Sequence, residues 1–372
     1  MLCIRDFYVF FIMVVIVLVS ACAQDNDSNS SQKDQASQES KTTEETDQGI
    51  EKKVIASNLQ EPWEIEQVDS SLYISERTGS IVKVEADEVN RKPVQFDASL
   101  SQQAEAGLLG LAFPENFSQT NTAIAYYSYE QNGAYYQRVV TVEETEEQWR
   151  EKSILLDKIP GGEFHQGGRM EIGPDNKLYI TTGDATNPES AQDMESLAGK
   201  ILRMNLDGTV PNDNPQQDSY VFSYGHRNPQ GLAWGKGSQL YATEHGSSAT
   251  DEINQIEAGN NYGWPEIQGD ETKEGMKTPI IHSGEDTWAP SGMTYLQGKF
   301  YFASLRGEAL RQFDPLKETE TAIISDVGRV RDVMADQNGL YIITNNTDGR
   351  GNPAENDDQL MYIPIPKNQL HQ

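Results

Sequence analysis

One phrase recurs along this chain and constrains its fold more than any other feature. It reads SSLYISERTGS from Ser70, NTAIAYYSYE from Asn121, NKLYITTGD from Asn176, SQLYATEHGS from Ser238, GKFYFASLRGE from Gly298 and NGLYIITNNTDG from Asn338. Each copy opens on turn residues, runs through a short apolar and aromatic stretch and ends on polar residues, as a strand leaving a turn does. Second strands follow several copies, as SIVKVEA, KILRMNLDG, EALRQFDP and QLMYIPI. A repeat of roughly 40 to 60 residues falls in the range of propeller blades. The expected fold is therefore all-β, a six-bladed β-propeller with four short antiparallel strands per blade. A stacked sandwich accounts for strands but not for evenly spaced, similar hairpins, and closure into a ring shields the strand edges of so large a β chain. With the repeated strand near the axis, Glu76, Asp184, Glu244, Arg306 and Asn345 at its polar end are expected to gather at one mouth of the channel. The rim and loops of such folds usually carry their function.

The chain has 58 acidic against 29 basic residues, a formal charge of −29. Its long-range field repels phosphates, which argues against a nucleic-acid partner. Its two cysteines, Cys3 and Cys22, both lie in the first segment, so the body holds no disulfide framework. That segment, MLCIRDFYVFFIMVVIVLVSAC, has one basic residue, an apolar run and small residues before a cysteine. It reads as a secretory signal over residues 1–22, and Val19-Ser20-Ala21-Cys22 resembles a bacterial lipobox, with Cys22 the lipidated residue. Residues 23–51 are nearly free of apolar side chains and read as a disordered polar tether. The folded body is expected over residues 52–372, outside the cytoplasm and anchored by lipid to the outer face of a bacterial membrane.

Four stretches carry the candidate chemistry: GGEFHQGGRMEIGPD from Gly161, YGHRNPQGLAW from Tyr224, TEHGSSATDEINQIEAGNNYGWP from Thr243 and GRVRDV from Gly328. Together with EAGLLGLAFPENF from Glu105, KILRMNLDGTVPNDNP from Lys200 and WAPSGM from Trp288, their order and wording resemble the soluble glucose dehydrogenases dependent on pyrroloquinoline quinone (PQQ) and the related aldose sugar dehydrogenases. The resemblance spans nearly all of the body and implies a six-bladed propeller that oxidises aldoses and passes electrons to an external acceptor. PQQ is a flat tricarboxylate, and arginine suits it through fixed charge and forked geometry. By the resemblance, Arg227 and Asn228 contact the quinone and Arg306, Arg329 and Arg331 its carboxylates, while Glu105 and Thr287 also fall on cofactor-site positions. The i, i+2 spacing of Arg329 and Arg331 predicts that both side chains share one strand face.

His165 is the expected general base, since imidazole titrates near neutrality and can take the anomeric hydroxyl proton as hydride leaves the same carbon. The resemblance also makes Arg227 part of the catalytic pair. Calcium is the implied metal, a Lewis acid held by oxygen ligands. The Gly246 and Ser247 carbonyls match its cofactor-side ligands, and Glu252 with the Tyr262 carbonyl matches a structural site. His226 reads as a packing residue. Phe164 stands where the glucose enzymes have aspartate, Glu105 where glutamine is frequent, Arg306 for a lysine and Ser247 for a proline. These departures imply a broader aldose site. A non-catalytic carbohydrate- or protein-binding propeller is the alternative, favoured by Phe164 and Glu105 and opposed by His165 and the arginines. A calcium-dependent lactone hydrolase would place carboxylates rather than arginines at the metal. No glycine fingerprint for a nicotinamide cofactor follows a strand.

Overall fold

The computed structural model describes residues 50–366 apart from Asp87. The signal segment, Cys22 and nearly all of the tether lie outside the described residues. The short strand β1 (Lys53–Ala56) comes first. Next is a meander of β2 (Pro62–Val68), β3 (Ser71–Glu76), β4 (Ser80–Glu85) and β5 (Glu88–Gln95), followed by one of β6 (Leu108–Ala112), β7 (Thr122–Gln131), β8 (Ala134–Glu144) and β9 (Trp149–Pro160). These two antiparallel meanders join into one eight-stranded sheet through a short parallel pairing of β5 with β9, Val94 opposite Trp149 and Gln95 opposite Arg150. Three separate four-stranded sheets come next: β10 (Met170–Ile172) to β13 (Val221–Tyr224) through β11 (Leu178–Thr182) and β12 (Lys200–Met204); β14 (Pro229–Trp234) to β17 (Ile281–His282) through β15 (Leu240–Glu244) and β16 (Glu252–Ile256); and β18 (Pro290–Leu296) to β21 (Thr319–Ile324) through β19 (Lys299–Ser304) and β20 (Ala309–Asp314). The last sheet is β22 (Val330–Ala335), β23 (Gly339–Thr344), β24 (Leu360–Pro364) and then β1, which returns from the other end of the described chain to pair antiparallel with β24.

All copies of the recurring phrase fall on second strands of meanders, β3, β7, β11, β15, β19 and β23. These strands carry apolar residues at successive positions because both their faces are largely covered: β7 is buried from Ala123 to Tyr129 and β11 throughout. Core clusters lie between successive meanders. Leu178, Ile180 and Leu202 pack against Ile124, Tyr126 and Val139, and Phe300 and Phe302 pack against Ala233 and Ile253. Another cluster joins Ile65, Ile74 and Val82 of the first meander to Ile343 and Leu360 of the last, so the series of sheets closes on itself. Truncating a fully buried ring such as Phe300 to alanine costs about 3–5 kcal/mol.

The strands that pack against one another around the interior are the first of each meander, including β2 against β22. The recurring strand therefore sits one step out from the axis, and the residues expected together at its polar ends meet only in part: Asp184 contacts His165, Glu244 accepts from the Arg227 N–H and Arg306 lines the same cleft. The Glu76 carboxylate instead turns to Arg91 on β5, 2.7 Å from its Nε. The axial strands carry buried charges of their own. Arg169 reaches Glu64 on β2 at 3.1 Å and Asp332 on β22 at 3.0 Å, and its Nε donates to the Gln230 carbonyl on β14 at 2.9 Å. One guanidinium thus ties three meanders across the axis.

Candidate active site

In an antiparallel meander the connections after the second and fourth strands emerge at the same end. The loops that carry the predicted residues are of these two kinds. Glu105 lies between β5 and β6, His165 between β9 and β10, Arg227 and Asn228 between β13 and β14, Gly246 and Ser247 between β15 and β16, Thr287 between β17 and β18, Arg306 between β19 and β20, and Arg329 between β21 and β22. All of these residues line one cleft of about 240 Å³. Residues far apart in sequence meet because the connections alternate between the two ends of the molecule.

His165 is held from four directions. Its backbone sits at φ +61°, a left-handed conformation that costs a non-glycine residue about 1–3 kcal/mol unless its surroundings fix it. Its N–H donates to Glu105 Oε2 at 3.0 Å. Beneath its carbonyl lies Gly183, where a Cβ would come within 1.9 Å of the His165 oxygen, so only glycine lets the loop pass this close. Nδ1 lies 2.7 Å from Asp184 Oδ1, and Arg227 Nη2 donates to Nε2 at 3.0 Å. With a donor at Nε2 and a carboxylate at Nδ1, the ring carries its proton on Nδ1 and a lone pair on Nε2. Asp184 is itself fixed, accepting from Thr186 N at 2.8 Å and from Trp264 Nε1 at 2.9 Å. The Arg227 guanidinium stacks over the Trp264 ring at 5.4 Å, and burial lowers its pKa from the usual range.

The other arginines divide by depth. Arg306 is exposed at the cleft rim. Arg329 pairs with Asp348 at 2.9 Å, and its Nε is buried without a partner. Arg331 does not line the cleft. It is 4% exposed beneath it, with its guanidinium 4.3 Å from the Trp63 ring and its Nη1 donating to Gln230 Oε1 at 3.1 Å. The expectation that Arg329 and Arg331 share a strand face is corrected: Arg329 precedes β22, and the register of β22 on β23 slips between Val330 and Asp332. A bulge of this kind re-aims the side chains beside it.

Glu252 and Tyr262 line a small cavity of about 10 Å³ next to the cleft, together with Glu244, His245, Gly246 and Gln268. A space of that size admits one water or ion. Among the described residues Gln268 Oε1 and His245 Nε2 are buried there without partners, and burial, with Glu244 beside it, pushes the Glu252 pKa up to about 7. One unpaired amide oxygen, Gln268 Oε1, beside the Glu244 and Glu252 carboxylates fits a hard cation. At the cleft, among the described residues, no protein donor reaches the carbonyls of Gly246 and Ser247, while Asp251 fixes the loop by accepting from Gly246 N at 2.8 Å and Thr287 Oγ1 at 2.9 Å.

His226 is fully buried, stacks on Tyr262 with ring centroids 4.9 Å apart, and bridges Ser223 and Glu244. Sequence reasoning did not single out Asp184 as the partner of His165, nor Asp251, His245, Trp264 or Arg350 as site residues. Burial pushes the His245 imidazolium pKa down to about 4, so this ring is neutral near pH 7. Arg350 pairs with Glu105 Oε1 at 3.0 Å. The only sequence signal for these residues was their nearness to the motifs, TGD, TEHG and NYGWP among them.

Residues 59–353 match the family described as Glucose / Sorbosone dehydrogenase. The chain is 35% identical to quinoprotein glucose dehydrogenase B of Acinetobacter calcoaceticus over 262 residues, 60% of this chain and 54% of that protein, about half of its length. It is 27% identical to an aldose sugar dehydrogenase of Escherichia coli K12 over 340 residues, 80% of this chain and 90% of that one. Among solved structures, the PQQ-bound aldose sugar dehydrogenase of Streptomyces coelicolor superposes with a TM-score of 0.79 at 34% identity, covering 86% of this chain and 99% of that chain.

Proposed function

Since the chain belongs to the glucose/sorbosone dehydrogenase family, we propose that it oxidises aldoses to lactones with PQQ and calcium, passing the electrons to an external acceptor, and that its meanders are the blades of a closed six-bladed propeller. The observation that carries this reading is Arg331. A guanidinium buried, among the described residues, without a carboxylate at ion-pair distance, its pKa pushed down to about 9 by burial, is unfavourable on its own and is rationalised by an anion above it. Arg306 and Arg329 at the wall would join it in holding the cofactor carboxylates, Arg227 and Asn228 would meet the quinone, and the Gly246 and Ser247 carbonyls would hold calcium. When bound, PQQ supplies a hydride acceptor and calcium a Lewis acid beside it.

The remaining chemistry belongs to the protein. His165 Nε2 takes the proton of the anomeric hydroxyl while C1 gives up its hydride, so the hemiacetal becomes the lactone. Asp184 holds the acceptor tautomer and stabilises the imidazolium that forms. The Arg227 N–H bonded to Nε2 marks where the sugar hydroxyl must enter, and substrate takes its place. Glu252, Gln268 and the Tyr262 carbonyl are proposed for a structural calcium. From the sequence we also propose lipidation at Cys22 and an extracytoplasmic, membrane-anchored enzyme.

The test uses the full chain stripped of metal, with calcium and PQQ added separately and together, and dye reduction followed against a panel of aldoses. Turnover that needs both additions and falls about 10²–10⁴-fold in His165→Ala, the range for losing a general base, with PQQ still bound, supports the reading. Tight PQQ binding without turnover on any aldose refutes the catalytic role, and failure to bind PQQ favours the binding propeller.

A further inference from the structure

Outside the cleft, one rung of the β7–β8 hairpin, Ser128 opposite Gln137, anchors both loops that meet at His165. Ser128 N donates to the Gly107 carbonyl at 3.0 Å and its carbonyl accepts from Ser101 N at 2.9 Å, so the loop bearing Glu105 is tied down on either side of that residue. Gln137 holds the other loop. Its Nε2 donates to the Gln166 carbonyl and to Gln166 Oε1, both at 2.8 Å. Gln166 Nε2 in turn reaches back to the Gly162 carbonyl at 2.6 Å, closing the neck of the loop. The residue that Gln137 grips is thus the one directly after His165.

The grip has one workable orientation. Gln137 Oε1 accepts from the Tyr126 hydroxyl at 2.6 Å, and a reversed amide would set its oxygen against both Gln166 oxygens. Burial pushes the Tyr126 pKa well above the ordinary tyrosine value, so the hydroxyl remains a donor. Tyr126, Gln137 and Gln166 are all buried, where a group that loses its partner finds no bulk water to replace it. His165 needs support on this side. Asp184 and Arg227 hold its ring and Glu105 its N–H, but none of them fixes the residue that follows. Among the described residues, Gln137 Nε2 is the only donor to the Gln166 carbonyl, while the next two N–H groups, of Gly167 and Gly168, go to Asn228 Oδ1 and the Thr181 carbonyl at 3.0 Å each. A left-handed residue such as His165 persists only where its surroundings over-determine it.

We propose that Gln137, which does not line the cleft, is a positioning residue for the reaction: it holds the loop so that His165 Nε2 faces the substrate hydroxyl, and Tyr126 acts through it. The inference rests on the aldose-oxidation reading. Without the grip the base drifts while the arginine wall stays in place, and misplacing a reacting group by about 1 Å costs up to about 10²-fold in rate. The loss therefore falls on kcat and not on cofactor binding.

The test uses the full chain with Gln137→Met, which keeps the length of the side chain and removes its donors, with Tyr126→Phe, and with the double variant. After reconstitution with calcium and PQQ, Gln137→Met is expected to lower kcat by about 10- to 100-fold, with KM and PQQ affinity within about threefold. Tyr126→Phe should move kcat the same way by less, and the double variant should be no slower than Gln137→Met, because the two residues act in series. A second readout needs no turnover. In the cofactor-free chain, with histidine labelled at the ring nitrogens for NMR, the His165 signals are assigned by their loss in His165→Ala. They are expected to show the proton on Nδ1 in the parent and a mixture of the two tautomers in Gln137→Met. A Tm that falls while kcat and the tautomer signature stay unchanged makes Gln137 structural only and overturns the proposal. Should Gln137→Met fail to fold, Tyr126→Phe decides alone, and an unchanged kcat and signature in that variant overturn it. A parent that binds PQQ but oxidises no aldose sinks only the oxidation reading, and the tautomer comparison still decides whether Gln137 positions His165.

Discussion

Replacing Asp184 by asparagine keeps the size of the side chain and removes its charge, 2.7 Å from His165 Nδ1. The carboxylate is 1% exposed, so water screens it little. A carboxylate and an imidazolium with charge centres about 4 Å apart interact by about 4 kcal/mol at an effective dielectric of about 20. In the proposed mechanism that interaction arises only once the ring has taken the substrate proton, so its loss would fall on the chemical step and correspond to about 10³ in kcat. Geometry adds to the penalty. An amide that keeps its oxygen toward His165 and the Thr186 N–H turns its NH₂ against Trp264 Nε1, a donor facing a donor. The reversed amide donates to Nδ1, moves the ring proton to Nε2 and sets that N–H against Arg227 Nη2. The assay is steady-state kinetics on the reconstituted full chain, with PQQ affinity and thermal unfolding measured alongside. The expected variant has kcat lower by about 10³, with KM and PQQ affinity within about threefold. A kcat within tenfold of the parent refutes the role assigned to Asp184. A parallel loss of PQQ affinity and of Tm would make it a structural residue.

Arg331→Met removes a buried cation that has only neutral partners, so cofactor-free unfolding is expected at the same or a higher temperature while PQQ affinity falls at least about tenfold, the two effects having opposite sign. Glu252→Gln should shrink the Tm gain produced by calcium and leave the metal-free Tm nearly unchanged; an undiminished gain removes Glu252 from the metal site. In the axial cluster, burial and the neighbouring Glu171 and Glu64 hold the Glu66 carboxyl well above the usual carboxylate range. The folded state therefore binds that proton more tightly than the unfolded chain, and the stability this group contributes is present in acid and lost as pH rises from the ordinary carboxylate range toward the raised value. Glu66→Gln should accordingly be nearly neutral at pH 4, at the foot of the ordinary carboxylate range, and stabilising at pH 8, and denaturant unfolding at the two pH values checks the sign.

The parts of the fold visible in the sequence are those where hydrophobicity and position agree. Second strands such as LYITT and KFYFAS are covered on both faces and announce themselves as apolar runs. Outer strands do not. β5, EVNRKPVQ, is mostly exposed and β17 is only two residues long, so neither leaves a pattern. Axial strands mislead in the opposite way. Charged residues are mostly exposed, yet Glu64 and Asp332 lie inside against Arg169, and only closure of the ring makes an interior for them. At the site, His165, Arg227 and Asn228 lie in continuous motifs and were legible there. The partnership of Asp184 with His165 depends on a loop folding back over Gly183, which no local pattern encodes. Arg350 directly follows the last copy of the recurring phrase in a run of turn residues, and its pairing with Glu105 spans most of the body.

The pairing of β1 with β24, Lys53 opposite Tyr362 and Val54 opposite Met361, bears on how the protein is made. Contacts between distant segments form late, because loop-closure entropy must be met before they contribute. A chain emerging from the ribosome can complete its intermediate meanders one after another, but the last sheet stays one strand short until β24 is available. Until then β1 and the free edge of β23 are unpaired backbone, the kind of edge that captures another chain. Crowding of nascent chains and truncation before Leu360 are therefore the circumstances in which aggregation, rather than slow catalysis, is the expected failure of this protein.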